Sequence, residues 1–220
     1  MRLRGADAVT IARVAIVLIV AYLVIVRFDA VISILLLAIS IVMDSLDGFI
    51  AIRESSKGRI GLSDYIEYLM HRKGASKIRK IKEGIAKSAP WGPRADVAGD
   101  RITEYVMWIL FTFLHVIPLF ILLIVVIRHS VADAFMGSRG TSSKASSWMS
   151  RVFYTSNWSR ASINVLKFLT FAYLILVFVL SYPIYIAYIL VGVTVAFIVI
   201  RGVAEVYDSF LFSRGGVALR

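Results

Sequence analysis

The sequence predicts an all-α integral membrane protein, a bundle of six transmembrane helices with its termini and long loops on the cytoplasmic side. Three observations predict it. Apolar residues make up 59% of the 220 and charged residues only 18%, against roughly 45–50% and 25% in ordinary globular chains. The apolar residues come in blocks of about 20, the length of helix that crosses roughly 30 Å of hydrocarbon. The basic residues, which leave a net charge of +11, fall almost wholly to one side of those blocks. A disordered chain, a soluble nucleic-acid binder and a disulfide scaffold are therefore poor readings. With no cysteine, neither a disulfide nor a thiolate metal site can form.

The spans fall at about residues 9–26, 30–50, 95–114, 118–135, 163–180 and 184–200. The first apolar run outlasts the h-region of a secretory signal, so no cleavable leader is expected. The third span starts polar and becomes strongly apolar only at Val106. Pro118 and Pro183 fall at turns between spans, where a missing N–H does least harm. Connections at 27–29, 115–117 and 181–183 are minimal. The opposite side carries the N-terminus, a long loop after Arg53, a loop over 137–159 and the C-terminal tail. Every lysine and arginine except Arg27 lies nearer this second side, which makes it cytoplasmic by the positive-inside rule. The net charge is then read as topology in a cell-membrane protein, with no nucleic acid as partner.

The chain reads as one membrane domain over 1–220 with a basic cytoplasmic insertion at about 54–91. Within it Lys77, Arg79, Lys80, Lys82 and Lys87 alternate with Ile78, Ile81 and Ile85. Isoleucines spaced by three and four make a short amphipathic helix, which either lies on anionic headgroups or packs on its own domain. Asn157-Trp158-Ser159 fits a glycosylation sequon on the wrong side of the membrane and is read as chance.

Four aspartates at the cytoplasmic ends of two spans carry the chemistry. Asp44 and Asp47 are three apart on the second span, and Asp96 and Asp100 four apart on the third. Those spacings turn about 60° and 40° around a helix, so each pair shares a face. Ionisable groups in spans are costly and usually point at a site. Four neighbouring anions must stay apart, take up protons or be held by cations, and oxygen-only ligands suit Mg²⁺, Mn²⁺ or Ca²⁺. The plain alternative is that they cap helices and pair with Arg53, Arg94 or Arg101.

The order of residues is more specific. Asp44-Ser45-Leu46-Asp47-Gly48-Phe49-Ile50-Ala51-Ile52-Arg53, followed later by Gly92-Pro93-Arg94-Ala95-Asp96-Val97-Ala98-Gly99-Asp100, resembles the signature of the CDP-alcohol phosphotransferases. That signature is D-x2-D-G-x2-A-R, a short gap, then G-x3-D-x3-D, on a six-helix membrane fold. The four aspartates, both glycines and Ala51 match. The arginine comes one residue late, at Arg53, and 38 residues separate it from Gly92 where the family has a short gap. Gly61 with Asp64 and Glu67 lies nearer, but its internal spacing is wrong and no apolar span follows.

The resemblance implies transfer of a phospholipid moiety from a CDP-linked lipid (diacylglycerol or archaeol) to a small polar alcohol, with release of CMP. It implies Mg²⁺ or Mn²⁺, two ions, on Asp44, Asp47, Asp96 and Asp100, with Asp100 as the base. Asp7, Thr10, Gly48, Ala51, Arg53 and Gly92 are the expected contacts to the CDP-lipid; close helix packing is the commoner use of such glycines. Arg128, Arg160 and Arg201, near the cytoplasmic ends of three spans, would bind a phosphorylated acceptor if they converge. Inositol phosphate is the first choice and glycerol phosphate the second, while an unphosphorylated acceptor such as serine would need no such cluster. Ordinary positive-inside placement explains each arginine singly. A homodimer is compatible with this architecture. Two rivals stand beside the enzyme. A cation transporter would put its aspartates near the bilayer midplane with a path outward, and a scaffold would use the basic insertion to recruit partners.

Overall fold

A computed structural model of the protein describes residues 5–56, 60, 61, 63–66, 78, 91–137, 152 and 157–217. About 90% of these are helical and none is in a strand. Six long helices follow one another: α1 Gly5–Ile25, α2 Ala30–Ser55, α3 Trp91–Phe113, α4 Leu119–Gly137, α5 Asn157–Leu180 and α6 Ile184–Val217. Four of them, α1, α2, α5 and α6, contain stretches long and apolar enough to cross a membrane, with mean hydropathy of 2.1 to 2.6. Only 25–33% of those stretches is buried within the protein. Apolar surface turned outward on that scale suits lipid and not water, so this is a membrane protein.

By length and composition, then, four helices qualify as spans among the described residues, where the sequence suggests six. In α3 the charges Arg94, Asp96, Asp100, Arg101 and Glu104 all fall within the first 14 of its 23 residues. α6, by contrast, outruns its expected end near 200 and is 34 residues long in all, about 50 Å of helix. Its continuation buries Glu205, Asp208 and Ser209, so it is held by packing and not released as a tail.

The short turns share one device. Arg27, His115 and Ser181 each take a left-handed backbone, with φ of 50°, 56° and 57°. After α1 the Arg27 N–H donates to the Val24 carbonyl and the Phe28 N–H to the Leu23 carbonyl, both at 3.0 Å. His115 and Val116 repeat the pattern after α3, donating to Thr112 at 3.0 Å and Phe111 at 2.9 Å. This is a Schellman stop, which satisfies the last carbonyls and reverses the chain in few residues. Asp29 then caps α2, accepting from the Ile32 N–H at 2.8 Å.

The chain, read from sequence as one membrane domain, falls into two compact units, Met1–Leu110 and Phe111–Arg220. In the first, α1 and α2 run antiparallel, with the Gly5 N–H donating to the Glu54 carboxylate at 3.0 Å. α1 buries Thr10, Arg13, Val17, Val20 and Val24; α2 buries Ala30, Ser33, Leu37 and Ser40. Both rows alternate spacings of three and four, the seam along which helices interlock. Alanine and serine in that seam let the backbones come close. One more step along the α2 row reaches Asp44. Beyond it, Phe49 and Ile52 form a buried cluster with Ile60, Tyr65 and Ile78. Ile78 of the basic insertion thus packs on its own domain. Lys77, Arg79, Lys80, Ile81, Lys82, Ile85 and Lys87 lie outside the described residues.

In the second unit α4 and α5 both pack on α6. Thr170 of α5 bonds Thr194 of α6 at 2.7 Å between hydroxyls, polar glue at a helix seam. Tyr182, Tyr185 and Tyr188 are exposed at the turn between α5 and α6, the aromatic placement of a membrane–water boundary.

Candidate functional site

The buried row of α1 contains a charge. Arg13 is 2% exposed in a helix that is otherwise uncharged from Val9 onward. Its guanidinium pairs with Asp44 of α2 and with Asp100 of α3 at 2.8 Å, and lies 4.0 Å from Asp96. The seam that aligns α1 with α2 therefore ends by setting Arg13 against Asp44. The four-residue spacing on α3 brings Asp96 and Asp100 to the same point. One carboxylate oxygen from each of Asp44, Asp96 and Asp100 lies within 4.8 Å of the other two.

Gly99 allows α3 this approach. A Cβ there would sit 2.4 Å from the Thr10 methyl and 3.0 Å from Arg13 Nη2. Gly99→Ala is expected to cost about 1–3 kcal/mol of stability, the usual penalty of overpacking, because α3 must shift away from α1. Thermal unfolding of the purified protein measures this. An unchanged midpoint would mean that the helices are not held at this distance.

Electrostatics then says what the arrangement can hold. Two carboxylates this close repel by roughly 3–4 kcal/mol at an effective dielectric of about 20. Arg13 offsets one of the three charges and leaves two. The donors are all oxygen, they converge from two helices, and Asp96 and Asp100 are half exposed, so an ion can reach them. Such a set could hold a hard cation and gives zinc no soft ligand.

The other residues singled out in the sequence are placed as follows. Asp47 lies on α2, with its side chain outside the described residues. Asp7 is half-buried in the first turn of α1. Thr10 is buried and donates to the Ala6 carbonyl at 3.2 Å. Gly48 backs onto Tyr65, whose hydroxyl would be 3.1 Å from a Cβ, so its missing side chain makes room for packing. Ala51 is partly buried beside the Phe49–Ile52 cluster. Arg53 is exposed, its guanidinium 6.0 Å from the centre of the Phe49 ring. Gly92 falls in the first turn of α3.

The second unit carries the three arginines on neighbouring turns. Arg128 crosses α6 at Gly202, where a Cβ would meet its Nε at 2.6 Å. It donates to the Ile198 carbonyl at 2.9 Å, contacts His129 Nδ1 at 2.8 Å and pairs with Glu205 at 3.1 Å. Arg201, next to Gly202, donates to the Ser159 carbonyl at 3.5 Å. Arg160 follows Ser159 on α5, its side chain outside the described residues. The charge of Arg128 is thus matched within the protein.

Sequence reasoning missed Arg13, Glu104 and Glu205. Each had a signal. Arg13 is the one charge in the first apolar block, three residues after Thr10. Glu104 is one turn beyond Asp100 and is 5% exposed, accepting from the Trp108 indole at 3.4 Å. Glu205 lies where a cytoplasmic tail was expected, so its burial could not be anticipated. No family model, no curated protein and no solved structure matches this chain.

Proposed function

We propose that this protein is a metal-dependent CDP-alcohol phosphotransferase. It would transfer a phospholipid moiety from a CDP-linked lipid to a polar alcohol and release CMP. The observation that supports this reading is the convergence of Asp44, Asp96 and Asp100 from two helices that are far apart in sequence. The rest of the membrane reading goes with it: α3 and α4 also cross, and the aspartates face the cytoplasm in a cell membrane. The rule that puts basic loops inside supports that orientation.

Divalent ions held by Asp44, Asp47, Asp96 and Asp100 would supply positive charge to the diphosphate and to the departing CMP. The acceptor oxygen bonds to the lipid-side phosphorus as the bond from that phosphorus to the CMP oxygen breaks, and the electron pair leaves with CMP. Asp100, about half exposed, takes the hydroxyl proton. Asp7, Thr10, Gly48, Ala51, Arg53 and Gly92 would line the CDP-lipid. Arg160 and Arg201, with Arg128 beside them, favour a phosphorylated acceptor, inositol phosphate before glycerol phosphate.

The test is CMP release by the purified protein from CDP-lipid and Mg²⁺ with inositol phosphate, glycerol phosphate and serine in parallel. CMP formed only with metal and acceptor together supports the reading. Release fastest with serine removes the acceptor assignment, and no release with any polar alcohol removes the activity.

A further inference from the structure

We infer that Arg13 is an internal counter-ion that a divalent cation must displace, so that it sets how tightly the aspartate site binds metal. The inference rests on the proposal that these aspartates hold the ion. Arg13 is 2% exposed and engages Asp44 and Asp100 through one oxygen of each. These two residues also belong to the group able to share an ion. A guanidinium keeps its charge at any working pH, so an arriving ion cannot neutralise it and has to move it.

The arginine is also imperfectly held. Its Nε is buried with no hydrogen-bond partner, and Nη2, though 2.8 Å from Asp100, makes no aligned hydrogen bond. Buried donors in that state call for an explanation. A purely structural ion pair would satisfy them; a placeholder does not have to. Without metal, Arg13 offsets part of the repulsion among three crowded carboxylates. With metal, the same charge becomes a competitor. Metal affinity is therefore lower than the carboxylates alone would give, and the apo site stays assembled.

Mn²⁺ binding to the full-length protein in detergent, read from the free-ion paramagnetic resonance signal, tests this. Arg13→Gln is expected to bind Mn²⁺ about tenfold or more tightly than the unmodified chain, while unfolding at a lower temperature in chelator. Arg13→Lys should fall between, since a single ammonium replaces the planar fork. If the glutamine variant does not fold, the unmodified chain still decides. Its Arg13 Nε–H resonance, assigned by its loss in Arg13→Lys, should shift as Mg²⁺ is added. Equal or weaker Mn²⁺ binding in Arg13→Gln, or a resonance that stays put at saturating Mg²⁺, overturns the exchange. If Asp44→Asn and Asp96→Asn lose Mn²⁺ while Arg13→Gln binds it no more tightly, the metal site stands and the exchange falls. Absence of Mn²⁺ binding in all of these proteins overturns both.

Discussion

Asp100→Asn is expected to reduce CMP release by a factor of about 10²–10⁴, the usual contribution of a positioned base, while CDP-lipid binding is largely kept. The amide preserves shape but cannot take the acceptor's proton. Asp44 and Asp96 remain to hold the ion and, through it, the diphosphate. Asp100 is the member of the set best placed for this, because it is half exposed and sits one turn further along α3 than Asp96. Turnover and equilibrium binding of CDP-lipid, measured on the same preparation, separate the two roles. Parallel loss of both would make Asp100 a metal ligand first. Thermal unfolding is the control, since the substitution also weakens the contact to Arg13.

Glu205→Ala is expected to destabilise the protein by about 3–5 kcal/mol, because it leaves the Arg128 charge buried without its partner. Both side chains are almost inaccessible, at 10% and 7% exposed. Replacing both Arg128 and Glu205 with leucine should recover most of the loss, since a buried pair is worth little against well-packed apolar groups. The same variants weigh the acceptor role of Arg128. A structural Arg128→Ala lowers the unfolding temperature and leaves the acceptor KM near normal. An acceptor-binding Arg128→Ala raises that KM by about tenfold or more and unfolds normally.

Composition and periodicity made the helical membrane character legible. The three-and-four spacing of apolar residues set the seam between α1 and α2, and the minimal turns fixed their antiparallel order. The four-residue spacing of Asp96 and Asp100 placed both at one point, where Asp44 joins them. Arg13 was not legible in the same way. Counting every basic residue toward the nearer loop absorbed it into the topology signal, though a charge on the buried face of a helix is costly unless matched. Its match comes from α2 and α3, and that is tertiary information. The partner of Arg128 was not legible for a related reason: Glu205 lies on a continuation of α6 that apolar periodicity ends too early. The glycine signals were clearer in kind than in role. Gly99, inside the motif but not one of its fixed positions, marks a close approach of α3 to α1, whereas Gly48 makes room for Tyr65.

The central claim is that a divalent ion sits among Asp44, Asp96 and Asp100, and anomalous scattering from crystals grown with Mn²⁺ tests it most directly. Mn²⁺ density bonded to carboxylate oxygens of α2 and α3 is expected, with Arg13 moved off at least one of them. Mn²⁺ bound only elsewhere, under conditions that support CMP release, would contradict it.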